Sequence, residues 1–292
     1  MSTQPFRLLV PVDFSPEQES IYNFLAYLSR EREIEVTFFH VVQTPTLPAS
    51  LNPAVDFYTE MVAEVKAAAA ERMEHLKTDN RFSRCALNTH FSTDVEGPVA
   101  LQVAEYAKAE KYDLILASSK HRTGVERLLI GTELLSLLRL SHTPVLCLSE
   151  GPLTAIQRIV FATDLSPESN RVLPQVLRLA ELLGAGVQLA CITTPSTFIS
   201  SRQFQERVRH MRTQLETTGL HADARMREPS LYNDASIVDG ILHASEDHLA
   251  DLLVMATHAR RGLSRLMTGS ITEAVLEETH LPLLVFRLPE GA

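Results

Sequence analysis

Short apolar runs alternate with longer segments in which apolar residues recur every three or four positions, and the alternation extends along the whole chain. The runs predict strands near 7–13, 34–42, 84–91, 113–118 and 144–149, then near 158–164, 186–193, 221–227, 251–257 and 282–287. Strands separated by helical segments predict an α/β fold, a parallel sheet wrapped by helices. The first helix has a clear start, because Ser15 can cap it, Pro16 suits its first position and Gln18 completes a capping box. Ile21, Phe24, Leu25 and Leu28 then share one face. Ser166-Pro167 repeats that start, and Val172, Val176, Ala180 and Leu183 form the matching stripe. Pro174 removes a backbone donor there and predicts a kink. Gly184-Ala185-Gly186 ends this helix and reads as a C-cap turn.

The two halves of the pattern are copies of one another. Arg7 to Glu17 aligns without gaps to Arg158 to Glu168, an offset of 151. Asp113 to Leu116 matches Asp251 to Val254, Gly131-Thr132 matches Gly269-Ser270, and His142 to Val145 matches His280 to Leu283, all at an offset of 138. The first copy therefore carries 13 extra residues between Val42 and Gly97, and the three prolines within Gln43 to Asp56 predict an extended loop. Gly151-Pro152 marks a short linker, giving domains over 1–150 and 155–292. The chain's 292 residues suit two domains of ~150 each.

Composition narrows the function. A formal charge of -9 opposes non-specific association with nucleic acid or anionic lipid, which needs many cationic contacts. No apolar run reaches the ~18 residues of a membrane helix, and Met1 to Phe14 carries Asp13 without a cleavage-site pattern, so neither membrane insertion nor a signal peptide is expected. The three cysteines, Cys85, Cys147 and Cys191, lie far apart inside apolar runs and read as buried thiols of a reducing compartment. A cytoplasmic location is the expectation.

In an open parallel sheet, ligands sit beyond the carboxyl ends of the strands, where strand order reverses. Asp13 and Asp164 end the first strand of each copy, and a carboxylate there can accept hydrogen bonds from a ribose or a base edge; the plainer alternative is a residue that ties down the turn. After the fourth strand, Gly131-Thr132 and Gly269-Ser270 open a helix, where free N–H groups and a hydroxyl make a phosphate cradle. Ser270 with Glu273 is equally a capping box. Neither a Walker loop, a GxSxG elbow, an HExxH helix nor a GxGxxG fingerprint occurs.

Residues 113–132 (DLILASSKHRTGVERLLIGT) and 251–270 (DLLVMATHARRGLSRLMTGS) resemble the signature loop of universal stress proteins. In nucleotide-binding members that loop reads Gly, two residues, Gly, nine residues, Gly, then Ser or Thr. Those places fall on Ser118, His121, Gly131 and Thr132, and on Ala256, Ala259, Gly269 and Ser270, so the first two glycines are absent from both copies. The family's base contacts fall on Asp13 and Val41, and on Asp164 and Ile192. A side chain at a glycine site obstructs phosphate and penalises a positive φ. Ala259 adds one methyl where His121 adds an imidazole, so the second copy is the better nucleotide candidate by this reasoning. Arg260 and Arg261, or Arg122 in the first copy, could pair with phosphate oxygens, although solvent-facing arginines are commoner in loops. His40 matches Cys191, which suggests a small buried group at a core position.

The resemblance implies two Rossmann-like domains of the adenine nucleotide alpha hydrolase-like type, each of five parallel strands in the order 3-2-1-4-5. Because family members dimerise through their last strands, it also implies that Val145 to Leu148 pairs with Leu283 to Phe286 inside one chain; a homodimer remains open. The implied function is stress-response regulation with ATP or another adenine nucleotide as ligand, Mg accompanying it, and an unidentified protein partner. The alternative is a scaffold without nucleotide that acts through protein contacts. Slow ATP hydrolysis is the most catalysis expected, since only Asp13 and Asp164 could serve it.

Overall fold

The computed structural model describes residues 5–30, 33–42, 55–92, 98–119, 131–149, 155–218, 225–258 and 270–288. In the first half, strand β1 (Phe6–Pro11) is followed by a 3-10 turn (Pro16–Gln18), α1 (Glu19–Leu28), β2 (Ile34–Val41) and α2 (Val55–Lys77). Then come β3 (Ala86–Ser92), α3 (Val99–Ala109), β4 (Leu114–Ser118), α4 (Thr132–Leu140) and β5 (Val145–Leu148). The second half runs β6 (Arg158–Thr163), α5 (Pro167–Asn170), α6 (Leu173–Leu183), β7 (Gly186–Thr193), α7 (Ser201–Glu216) and β8 (Ser230–Asn233). It closes with α8 (Ile237–Asp247), β9 (Leu252–His258), α9 (Ser270–Glu278) and β10 (Leu283–Leu288).

Among the described residues, ten strands form one sheet ordered β3-β2-β1-β4-β5-β10-β9-β6-β7-β8, so each half, counted from its own first strand, runs 3-2-1-4-5. The halves join where β5 pairs antiparallel with β10, with Leu146 opposite Leu284. These two residues are equivalents at the 138 offset, so a pseudo-twofold axis passes between them and the junction is isologous. Both are almost wholly buried, at 0% and 1% exposure. An apolar edge that would invite strand addition from outside is thus paired internally. Arg139 of α4 bonds Glu273 of α9 and Arg178 of α6 bonds Asp113 at 3.1 Å, both across the junction.

Each face of the sheet carries a core continuous across both halves. One is filled from α1, α2, α6 and α7 by Phe24, Met73, Val176 and Met211; the other from α3, α4, α8 and α9 by Val103, Leu137, Ile241 and Val275. Burying such side chains stabilises each site by about 1.5–3 kcal/mol, which is why the 3.6-residue stripes mark the sheet-facing sides.

Register places the length difference. Val41 and Ile192 occupy equivalent points at the ends of β2 and β7, while Leu114 and Leu252 start β4 and β9 at the 138 offset. The extra residues therefore fall after the second strand. Residues 43–54 of the expected loop lie outside the described residues, and Val55 and Asp56 begin α2, 23 residues long against 16 for α7.

Three local expectations need correction. At Ser15 no capping box forms: its hydroxyl has no partner, and Gln18 turns inward instead to bond the Pro11 carbonyl at 2.7 Å. Pro174 does not kink a continuous helix; α5 ends at Asn170 and α6 restarts with Pro174 in its first turn, where its missing N–H is harmless. The eighth strand lies at Ser230–Asn233, beyond the expected 221–227, with Met226 making only an isolated bridge to Val187. Between that bridge and the Ala190–Ser230 pair, the outer chain has one residue more than β7, a bulge containing Pro229, which cannot donate to the ladder. The Gln188 side chain spans it, donating to the Glu228 carbonyl and the Ser230 hydroxyl at 2.8 and 3.1 Å. Gly184 does cap α6, at φ 71°.

Candidate functional site

The reversal of strand order in the first domain lies between β1 and β4, and in the second between β6 and β9. Asp13 and Asp164 stand just past β1 and β6, both exposed. Each is fixed by the same turn: the Ser15 N–H donates to Asp13 Oδ1 and the Ser166 N–H to Asp164 Oδ1, both at 2.9 Å. The intervening residues, Phe14 and Leu165, adopt left-handed φ of 58° and 55°. Two bulky residues held at positive φ at equivalent points mark the turn as a strained feature that both copies keep. Beyond it the copies diverge. Gln18 Oε1 accepts from the Phe14 N–H, whereas its counterpart Ser169 donates its hydroxyl to Asp164 Oδ1 at 2.7 Å, and Arg207 of α7 donates to the Asp164 carbonyl.

In the first domain these elements surround a cavity of about 440 Å³. Pro11, Val12, Asp13 and Gln18 come from the end of β1 and the turn; Phe39, His40, Val41 and Val42 from β2; Ala117 and Ser118 from β4. Val99, Ala100 and Val103 of α3, Gly131, Glu133, Leu134 and Leu137 around α4, and Val65 of α2 also line it. Four of the sequence candidates, Asp13, Val41, Ser118 and Gly131, are thereby brought together. Thr132 is the first residue of α4 and exposed. Gly131 caps that helix at φ -65°, and a side chain there would meet nothing within 4 Å, so open space rather than strain distinguishes the position. His121 and Arg122 lie outside the described residues.

His40 is only partly buried; it makes a 2.6 Å hydrogen bond with the Val12 carbonyl, which acts as acceptor, and lies 4.8 Å from the Phe14 ring. The expectation of a small buried core group holds for its counterpart Cys191 but not for His40, because the cavity opens beside the end of β2. Burial pushes the Cys147 thiol up to about 12 and the Cys191 thiol up to about 11, so both stay protonated and unreactive near neutrality. Cys85, half-buried, is also raised by burial. No cluster of three metal-ligating side chains occurs among the described residues.

In the second domain Asp164, Ile192 and Ala256 occupy the corresponding strand ends, and α9 begins at Ser270. Ala259, Arg260, Arg261 and Gly269 lie outside the described residues. Helices α3 and α8, and α4 and α9, match at the 138 offset, so the walls compare residue by residue. Val99, Ala100, Val103 and Ala117 become Ile237, Val238, Ile241 and Met255, each a larger side chain. Met255 is 6% exposed and Ile241 2%. Gln102 becomes Gly240, and α8 lies so close to β7 that a Cβ at Gly240 would stand 2.5 Å from Ile192 Cγ2. Glu133, whose carboxylate accepts from the Ala100 N–H at 3.3 Å, becomes the exposed Ile271. Gln18, Ala117 and Glu133 were not among the sequence candidates; aligning the copies position by position is the signal that exposes them.

Comparison with known proteins agrees with the fold. A solved universal stress protein from Archaeoglobus fulgidus DSM 4304 superposes with a TM-score of 0.66 at 16% identity, covering 96% of this chain and 98% of that one. A protein of unknown function from Pseudomonas aeruginosa PAO1 superposes at 0.61 with 16% identity, covering 97% and 92%. At that identity the likeness concerns the fold. In sequence, a universal stress protein of Methanocaldococcus jannaschii is 26% identical over 148 residues, spanning 46% of this chain and 84% of that protein. The sequence profile of the universal stress protein family matches residues 6–149 and again 155–287, and the chain belongs to that family, carrying its domain twice in tandem.

Proposed function

We propose that this protein is a ligand-responsive stress-response regulator that holds an adenine-containing compound at the strand ends of its first domain. The observation that carries the reading is the cavity of about 440 Å³, within the usual range for small-molecule sites. By the resemblance the family's base contacts fall on Asp13 and Val41, and both line it. Its apolar walls, Val12, Val99, Val103 and Leu134, suit a flat heterocycle, and the exposed Asp13 carboxylate can accept from ribose hydroxyls. The earlier preference for the second domain rests on Ala259 against His121, whereas the wall comparison favours the first. Binding then acts through conformation or through a partner protein.

A second reading keeps a nucleotide in the second domain, and one observation favours it: Ile271 places no carboxylate where Glu133 stands. Thermal denaturation of the full chain with a panel of adenine compounds separates the two, since a ligand that binds only the folded state raises its stability. The first reading expects the rise to be lost in Asp13→Ala and kept in Asp164→Ala; the second expects the reverse. No rise with any adenine compound would leave the protein as a scaffold.

A further inference from the structure

Among the described residues that line the cavity, the ionisable groups are Asp13, Glu133 and His40, and none is a lysine or arginine. Glu133 is the second residue of α4, and its carboxylate accepts from the N–H of Ala100, the second residue of α3. A helix start carries partial positive charge and unpaired N–H groups, which is what a ligand phosphate uses. Here one carboxylate of the chain itself stands at the starts of two helices that border the cavity. The carboxylate thus engages an N–H group at the start of α3 and adds a negative charge to the first turn of α4, beside Gly131-Thr132.

We infer that the first-domain cavity selects the uncharged nucleoside form of its adenine ligand over the nucleoside phosphates, with Glu133 as the residue that sets this preference. The inference rests on the reading of that cavity as the ligand site. A nucleoside supplies hydroxyl donors, which the Asp13 carboxylate at the strand end can accept. Each added phosphate brings negative charge toward the exposed Glu133 carboxylate at the rim, and like charges brought close repel, an effect that solvent screens only in part. The second domain, with Ile271 at the matching position, lacks this obstacle.

The test is calorimetric titration of the full chain with adenosine, AMP and ATP, in an Asp164→Ala background so that the first domain is read alone. Affinity should fall in the order adenosine, AMP, ATP, with roughly a tenfold or larger loss at the first phosphate. Glu133→Gln retains an amide oxygen for the Ala100 N–H, so α3 and α4 stay joined; it should raise AMP affinity about tenfold and change adenosine binding less than about threefold. ATP binding as tightly as adenosine, with both lost when Ala117→Met fills the cavity, would overturn the inference and leave the cavity reading intact. A phosphate preference unaltered by Glu133→Gln would overturn the role of that residue. Absence of binding by all three compounds would remove the cavity reading and the inference with it.

Discussion

The two domains share strand order, register and the strained turn that presents the first acid, yet they differ where a ligand would lie. In the first, small residues at Ala100 and Ala117 leave a cavity, and Glu133 sets a negative charge at its rim. In the second, Val238 and Met255 stand at those positions, Gly240 lets α8 close down on Ile192, and Ile271 replaces the charge. The elements that fix the sheet have been kept in duplicate, whereas the residues bordering the strand ends have diverged. A tandem repeat permits this, because the junction at Leu146 and Leu284 needs only the last strands to match.

The strongest way to break the comparison is to give the second domain the first domain's wall. Met255→Ala removes a side chain that is 6% exposed and should destabilise the protein by about 2–5 kcal/mol in urea denaturation. A cost below about 1 kcal/mol would show that Met255 fills little. Gly240→Ala should cost about 1–3 kcal/mol, since its methyl would meet Ile192 Cγ2 at 2.5 Å and Asp234 Oδ2 at 3.3 Å. The equivalent position of α3 already carries a side chain, Gln102, and a loss below about 0.5 kcal/mol for Gly240→Ala would contradict the closer approach of α8.

Acid titration sharpens a difference at the other end of the sheet. Burial pushes the Asp251 carboxyl up, but hydrogen bonds from the Arg158 side chain and from the N–H groups of Gln157 and Arg158 together hold it below the usual carboxylate range. A depressed folded-state value contributes stability that is full above the unfolded value near pH ~4 and is lost as pH falls through the lowered one. Asp251→Asn should therefore flatten the acid limb of the stability curve below pH ~4, and an unchanged limb would refute the contribution. The smallest effect tests a shared feature. Lys111 and Leu249 occupy equivalent positions with φ of 57° and 49°, and Leu249 is 66% exposed. Glycine at either should relieve strain and raise stability by a few tenths to about 1 kcal/mol in thermal melts, by similar amounts in both domains.

The fold was legible because its determinants are periodic and doubled: the stripe Ile21, Phe24, Leu25 and Leu28 and the aligned first strands need no tertiary knowledge. The β5–β10 junction followed from an apolar edge and the family's mode of pairing. The eighth strand escaped because a bulge at Pro229 shifts its pairing, and a shift of that kind leaves no periodic signature. At the site, Ser118 and Gly131 were legible from the family's loop and Asp13 and Val41 from its base contacts, as residues that line one cavity, but neither pattern speaks of the facing helix wall. Ala117 against Met255 and Glu133 against Ile271 matter through volume and charge in three dimensions, and each alone reads as an ordinary helix or strand residue.

The central claim is that the first-domain cavity is where the protein holds its ligand. Its most direct test is native mass spectrometry of the full-length Ala117→Met variant beside the parent, each incubated with adenosine. Met at this strand end reproduces the second domain's Met255 and has about 440 Å³ of open volume to enter, so the fold should persist. The account predicts one bound adenosine on the parent and none on the variant, with unfolding midpoints within a few degrees of one another. Equal occupancy of parent and variant would place the ligand elsewhere and contradict it.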